Sequence, residues 1–341
     1  MAFVEPITIK DAIDKIHCKK YMLPAIQREF VWSVDQIETL FDSLMRDYPI
    51  SSFLFWEVER NNVDKFQFYE FVREFHERGS YHNLKDDLSG ESGIIAILDG
   101  QQRLTSLYIG LKGSCIYKMP RKRWDNDAAV PKRHLCLNLF HATAKDTDIG
   151  YRFSFLTKKE AGVRDDNNFW FKVGDILDIL GPVDVTDYLL NNNVSQFGND
   201  KFRLANKALF KLPDVIHNSK SISFFLERGE DLDKVLNIFI RVNSGGTQLN
   251  YSDLLLSIAT AQWKGKDARV EITEFVDEVN AIGDSFKINK DFALKCCLVL
   301  SGFREIAFKV ALLHKAFDVR GSPFPERIHP TISVSGMPSA V

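Results

Sequence analysis

Three short strings in this 341-residue chain set polar, phosphate-compatible side chains beside glycine or aromatic residues. The sharpest is Asp99-Gly100-Gln101-Gln102-Arg103. It follows the apolar run 94–98 and precedes Leu104, Leu107, Tyr108 and Leu111 at helical spacing. That order predicts a buried strand, a turn at Gly100 and a helix. A helix start offers backbone N–H groups without intrahelical partners and a partial positive charge, which together attract anions. Gly100 lets the backbone approach a phosphate closely, and Arg103 adds a forked donor matched to phosphate oxygens. Asp99, at the strand end, is placed to hold a magnesium ion or a water. Thr105 and Ser106 would add hydroxyls if they face the same side. The plainer alternative is a capped turn, in which Asp99 and the glutamines satisfy the helix N–H groups.

The second string is Gln27-Arg28 with Phe30, Val31 and Trp32. Such a mix can line a pocket where aromatics stack on a base and Arg28 reaches a phosphate. It can equally be a surface loop whose Phe30 and Trp32 plug into the core. The third runs from Phe239 to Leu249 and holds Arg241, Asn243, Gly245 and Gly246. A turn of that composition between helices can present backbone N–H groups as an anion nest, with Arg241 and Asn243 completing it. A glycine-rich helix end reads the same way. A basic cluster of Lys118, Arg121, Lys122, Arg123, Lys132 and Arg133 is either a nucleic-acid contact or a solvated loop.

The elements that must position these strings divide the chain unevenly. Ser33 and Gln36 form a capping-box pattern ahead of Ile37, Leu40, Phe41 and Leu44. Strands are predicted over 52–58, 94–98, 134–140, 152–155 and 222–226. Helices are predicted over 7–16, 37–44, 101–111, 171–180, 201–216, 232–239, 251–263, 268–282 and 291–300. A first half containing strands and a mostly helical second half read as α+β. The expected organisation is a core over 1–165, a helical domain over 166–310 and an irregular, proline-containing tail over 311–341.

Composition narrows the function. A formal net charge of −2 argues against a polyanion binder held by net charge alone. Five cysteines without regular spacing give neither a disulfide framework nor a zinc pattern. Cys296 and Cys297 read as buried free thiols in a reducing, cytoplasmic setting. The N-terminus has no long apolar stretch of the signal-peptide kind, and no apolar run is long enough to span a bilayer.

Taken together, the three strings resemble the N-terminal domain family of GmrSD-type restriction endonucleases, a ParB/sulfiredoxin-like family. The resemblance covers roughly residues 5 to 310. It implies a nucleotide-binding, NTP-hydrolysing core with a mostly helical C-terminal extension, in a modification-dependent anti-phage restriction system. By resemblance Asp99 to Arg103 form the nucleotide-site motif; within it Asp99, Gln102 and Arg103 are the expected catalytic residues, with Asp99 also expected to hold magnesium. Gln27, Arg28, Trp32, Gly100, Gln101, Arg241 and Asn243 bind the nucleotide. The partners implied are an NTP with magnesium, DNA directly or through a nuclease, and further copies of the chain; a membrane is not among them. In the family this module is commonly joined to a His-Asn-His nuclease domain, and no such arrangement is evident after position 310. The competing expectation is a non-hydrolysing regulatory module that binds DNA or a partner protein.

Overall fold

A computed structural model describes residues 2–24, 27, 29–59, 68–76, 85–86, 93–118, 130–141, 150–229, 232–243, 268–282 and 287–300. The chain divides into two compact units, Met1–Gly245 and Gly246–Val341.

The first unit is a mixed α+β structure with two sheets. The larger has seven strands. From one edge they are β1 (Ala2–Ile7), β12 (Ile222–Glu227), β3 (Phe53–Val58), β7 (Ile94–Asp99), β2 (Tyr21–Pro24), β4 (Phe68–Tyr69) and β6 (Lys85–Asp86). Two pairings are parallel, β12 with β3 and β2 with β7, and the others are antiparallel. The smaller sheet runs β10 (Phe153–Leu156), β9 (Lys132–Asn138), β8 (Ser114–Ile116) and β5 (Glu74–His76), with β11 (Trp170–Lys172) also paired to β9.

Helices α1 (Ile9–His17) and α2 (Val34–Met45) both pack against α3 (Gln101–Lys112). Local sequence dictates where the first two begin. Thr8 and Asp11 form a reciprocal cap on α1, and Ser33 and Gln36 do the same for α2, with Ser33 Oγ accepting from Gln36 N at 3.3 Å. Helix α3 differs in being buried almost all round, as expected for a helix inside a core rather than on it. At Gly110 a Cβ would stand 2.6 Å from the Phe41 ring, so the helices meet there only because the side chain is absent. One apolar core runs from Ile9 through Phe41, Phe55, Leu104 and Phe171 to Leu226.

Beyond β10 come α4 (Lys158–Ala161), a 3-10 helix (Val173–Asp178), α5 (Pro182–Asn191), a 3-10 turn (Val194–Phe197), α6 (Asn199–Pro213), a π-helical turn (Asp214–Asn218) and α7 (Leu232–Asn243). The helix predicted over 171–180 is replaced by β11 and the 3-10 helix. Phe171 pairs with Leu137 across the sheet, and the buried residues that follow, Val173 and Ile176, lie three apart, which suits the tighter helix. Strand β1 and helix α5 were not foreseen. The former is short and largely exposed, and the latter buries only Val185 and Leu189.

In the second unit the described residues form α8 (Ala268–Asn280) and α9 (Lys290–Leu300). The Asn280 amide closes their connection, donating to Ile288 O and accepting from Ile288 N, each at 2.9 Å. Cys296 is half-buried, not fully buried as expected. The helix predicted over 251–263 and the 311–341 tail lie outside the described residues. No described helix is long and apolar enough to cross a membrane.

Candidate functional site

Strand β7 ends at Asp99 and α3 begins at Gln101, so Gly100 alone makes the turn. Its φ of 90° lies in the left-handed region, where a side chain is disfavoured. A Cβ there would also stand 2.1 Å from Phe53 Cδ1. The buried run 94–98 and the helical spacing after it therefore produce the strand–turn–helix unit that the sequence predicts. No side chain caps the first turn of α3 from Gly100.

The polar side chains of the motif reach neighbouring backbone. Gln102 accepts from Val31 N at 2.9 Å and donates to Glu29 O at 3.0 Å. From the other direction, the buried Gln27 donates to the carbonyls of Ile97 at 2.9 Å and Leu98 at 2.7 Å, at the end of β7. These four bonds join the loop after β2 to the strand–turn–helix unit, although the two are about seventy residues apart. Arg28 lies outside the described residues. Phe30 is buried, edge-to-face with Phe75, and Trp32 packs against the core, so both aromatics anchor the loop.

Arg103 is held on several sides. Its guanidinium donates to Ile50 O, to Ser52 O at 3.0 Å and to Asp99 Oδ2 at 3.1 Å. It lies 4.3 Å from the centre of the Phe53 ring, the same ring that excludes a side chain at Gly100. Arg103 keeps 15% of its side-chain surface and Asp99 keeps 32%, so the pair is sheltered without being sealed. Burial lowers the Arg103 pKa from its usual value, and the Asp99 carboxylate opposes that shift.

Thr105 and Ser106 do not supplement the site. Both are fully buried; Ser106 donates to Gln102 O at 2.8 Å, and Thr105 Oγ1 has no hydrogen-bond partner among the described residues. Gln101 is also buried. Arg241 is exposed on the last turn of α7, which packs against β7. Asn243 ends that helix, and the glycines after it lie outside the described residues. Two members of the basic cluster are already engaged. Arg133 is buried, donating to Tyr117 O at 2.8 Å and stacking on the Tyr117 ring, and Lys132 pairs with Glu74.

A magnesium ion would meet one carboxylate here. Among the described residues no three or more His, Cys, Asp or Glu side chains are grouped to hold a metal, and one Asp99 oxygen already faces Arg103. That donor set fits a magnesium ion arriving on nucleotide phosphates, with Asp99 adding a single oxygen, better than a resident ion. Sequence reasoning missed Ile50, Ser52 and Phe53, which take up Arg103. Two of them contribute backbone carbonyls, which no side-chain pattern marks.

Comparison with known proteins places the chain in a family. The family described as GmrSD restriction endonuclease, N-terminal domain, matches residues 9–260. An uncharacterized protein of Methanocaldococcus jannaschii is 34% identical over 101 residues, which is 30% of this chain. The matched stretch spans only 16% of that relative's length.

Proposed function

The chain belongs to the GmrSD restriction endonuclease N-terminal domain family, and from that premise we propose that it binds and hydrolyses a nucleoside triphosphate within a modification-dependent DNA restriction system. The core that does so is read as ParB/sulfiredoxin-like. One observation carries the proposal: Gln27 and Gln102 tie the loop after β2 to the turn at Gly100, so two phosphate-compatible strings meet beside a helix start whose N-cap residue is a glycine.

In this reading the first amides of α3 and the helix dipole hold phosphate oxygens. Arg28 and, from α7, Arg241 and Asn243 extend the contact, and Gly100, Gln101 and Trp32 shape its walls. Bound magnesium supplies charge neutralisation on the phosphates, with Asp99 as its protein oxygen. Gln102 orients the water that attacks the terminal phosphorus; the bridging P–O bond breaks, giving a nucleoside diphosphate and inorganic phosphate. Arg103 stabilises the charge that develops on transfer. Both Gln102 and Arg103 must exchange their backbone partners to do this. The engaged state of those two side chains also favours a second reading, a module that binds nucleotide without turnover and signals to DNA or to a nuclease partner. Both readings place the protein in the cytoplasm, and self-association is compatible with either.

Titration of the full chain with ATP, GTP, CTP and UTP plus magnesium, with phosphate release measured in parallel, tests the proposal. Binding with release supports hydrolysis, and binding without release supports the second reading. Arg103→Ala is expected to weaken binding about tenfold or more, while Arg103→Lys, which keeps charge but loses the fork, retains part of it. A lowered melting temperature with undiminished binding and turnover would remove Arg103 from the site.

A further inference from the structure

Residues 46–52 link α2 to β3, and two of them hold a backbone conformation that side-chain-bearing residues seldom adopt. Asp47 has φ 59° and Ser51 has φ 67°. The segment is tied at both ends. Asp47 N and Tyr48 N donate back to Leu44 O at 3.1 Å and Ser43 O at 2.9 Å, and the Asp47 carboxylate pairs with Lys211 at 2.6 Å. At the far end, Arg103 donates to Ile50 O and Ser52 O, the carbonyls on either side of Ser51. The same guanidinium reaches Asp99 beside the helix start. One side chain therefore holds the left-handed residue of the link and faces the turn where the proposed phosphate sits.

We infer that Arg103 couples occupancy of the α3 helix start to the conformation of 46–52. This rests on the phosphate-binding reading above. A phosphate is a charged acceptor, and its bond to a guanidinium is stronger than that of a neutral carbonyl. Drawing the guanidinium toward phosphate gives up the Ile50 and Ser52 carbonyls. Ser51 is then free to leave the left-handed region, and the bonds of Asp47 and Tyr48 to the end of α2 loosen with it. The ligand shifts the link because its interaction with Arg103 differs between the two states, which is what such a shift requires.

Hydrogen exchange over 46–52 tests the coupling, measured on the full chain free and with saturating ATP, GTP, CTP or UTP plus magnesium. Exchange at Asp47 and Tyr48 is expected to quicken on binding. Ser51→Val, whose branched side chain disfavours the left-handed conformation, should quicken exchange in the free protein and tighten nucleotide binding about threefold or more, because less of the chain starts in the pinned state. Binding that leaves exchange unchanged or slows it would overturn the inference while sparing the function. So would a folded Ser51→Val protein that binds no tighter. If Ser51→Val does not fold, exchange in the natural chain decides alone. If none of the four triphosphates binds, the proposed function falls and the inference falls with it.

Discussion

Arg103 and Glu38 are both ionisable groups carried into the interior by helices, and their surroundings treat them in opposite ways. Arg103, in the first turn of α3, has a countercharge in Asp99, two carbonyl acceptors and an aromatic ring beneath it. Glu38, in α2, accepts from neutral donors, Phe155 N at 2.9 Å and the Ser154 side chain. Burial dominates its titration, Asp35 adds repulsion, and Arg152 opposes the shift least of the causes, so its carboxyl is pushed up to about 7. A sheltered charge with a countercharge and acceptors around it keeps its charge; one held only by neutral donors becomes a group that titrates near neutrality.

The strongest way to break the Arg103 side of this comparison is at Gly100. Gly100→Ala adds a Cβ at φ 90° and presses it into Phe53, so the turn that aligns Asp99 with Arg103 must move. We expect a loss of about 3 kcal/mol or more, read as a fall in melting temperature, and no gain in nucleotide binding. An unchanged melting temperature would mean that the turn is not under this constraint. Arg103→Ala comes next, at about 2–3 kcal/mol, because it leaves Asp99 without its countercharge and two carbonyls without their donor. Gln27→Ala is smaller, at about 1–2 kcal/mol. It should loosen the loop after β2, seen as faster exchange over 29–32, while leaving the Asp99–Arg103 pair in place.

These residues differ in how legible they are in the sequence. The turn at Gly100 is legible because an apolar run, a glycine and a helical repeat are local signals, and each agrees with the next. The cap on α2 is legible for the same reason, since Ser33 and Gln36 lie three apart. Gln27 and Gln102 are expected only as nucleotide-site residues; their actual partners are backbone groups, of Ile97 and Leu98 for Gln27 and of Glu29 and Val31 for Gln102, which side-chain types do not reveal. The carbonyls of Ile50 and Ser52 are invisible for that reason too. The helix expected over 171–180 gave way to β11 because pairing with β9 is a long-range fact that outweighs local periodicity. Glu38 is hidden most completely. One acidic residue on an amphipathic helix reads as solvated, and only the approach of β10 desolvates it.

Glu38 sharpens the comparison from its weaker side, and its effect is the smallest and the most pH-specific. Its folded-state pKa of about 7 lies above the ordinary glutamate value of 4.5, so between those values the folded protein holds a proton that the unfolded chain has released. Stability therefore falls as pH rises from about 4.5 to about 7, and it is lowest above that window. Glu38→Gln keeps an oxygen for Phe155 N and removes the charge. We expect it to stabilise the protein at pH 8 by about 1 kcal/mol, less than the full shift because part of the carboxylate is screened by solvent. The gain should shrink to nothing near pH 4.5. Melting temperatures of both proteins across pH 4.5 to 8 check this. A gain of equal size at every pH would mean that the substitution acts through packing and that Glu38 does not titrate in this window. A loss at pH 8 would mean that the charged form is favoured in the fold, and the contrast with Arg103 would then fail.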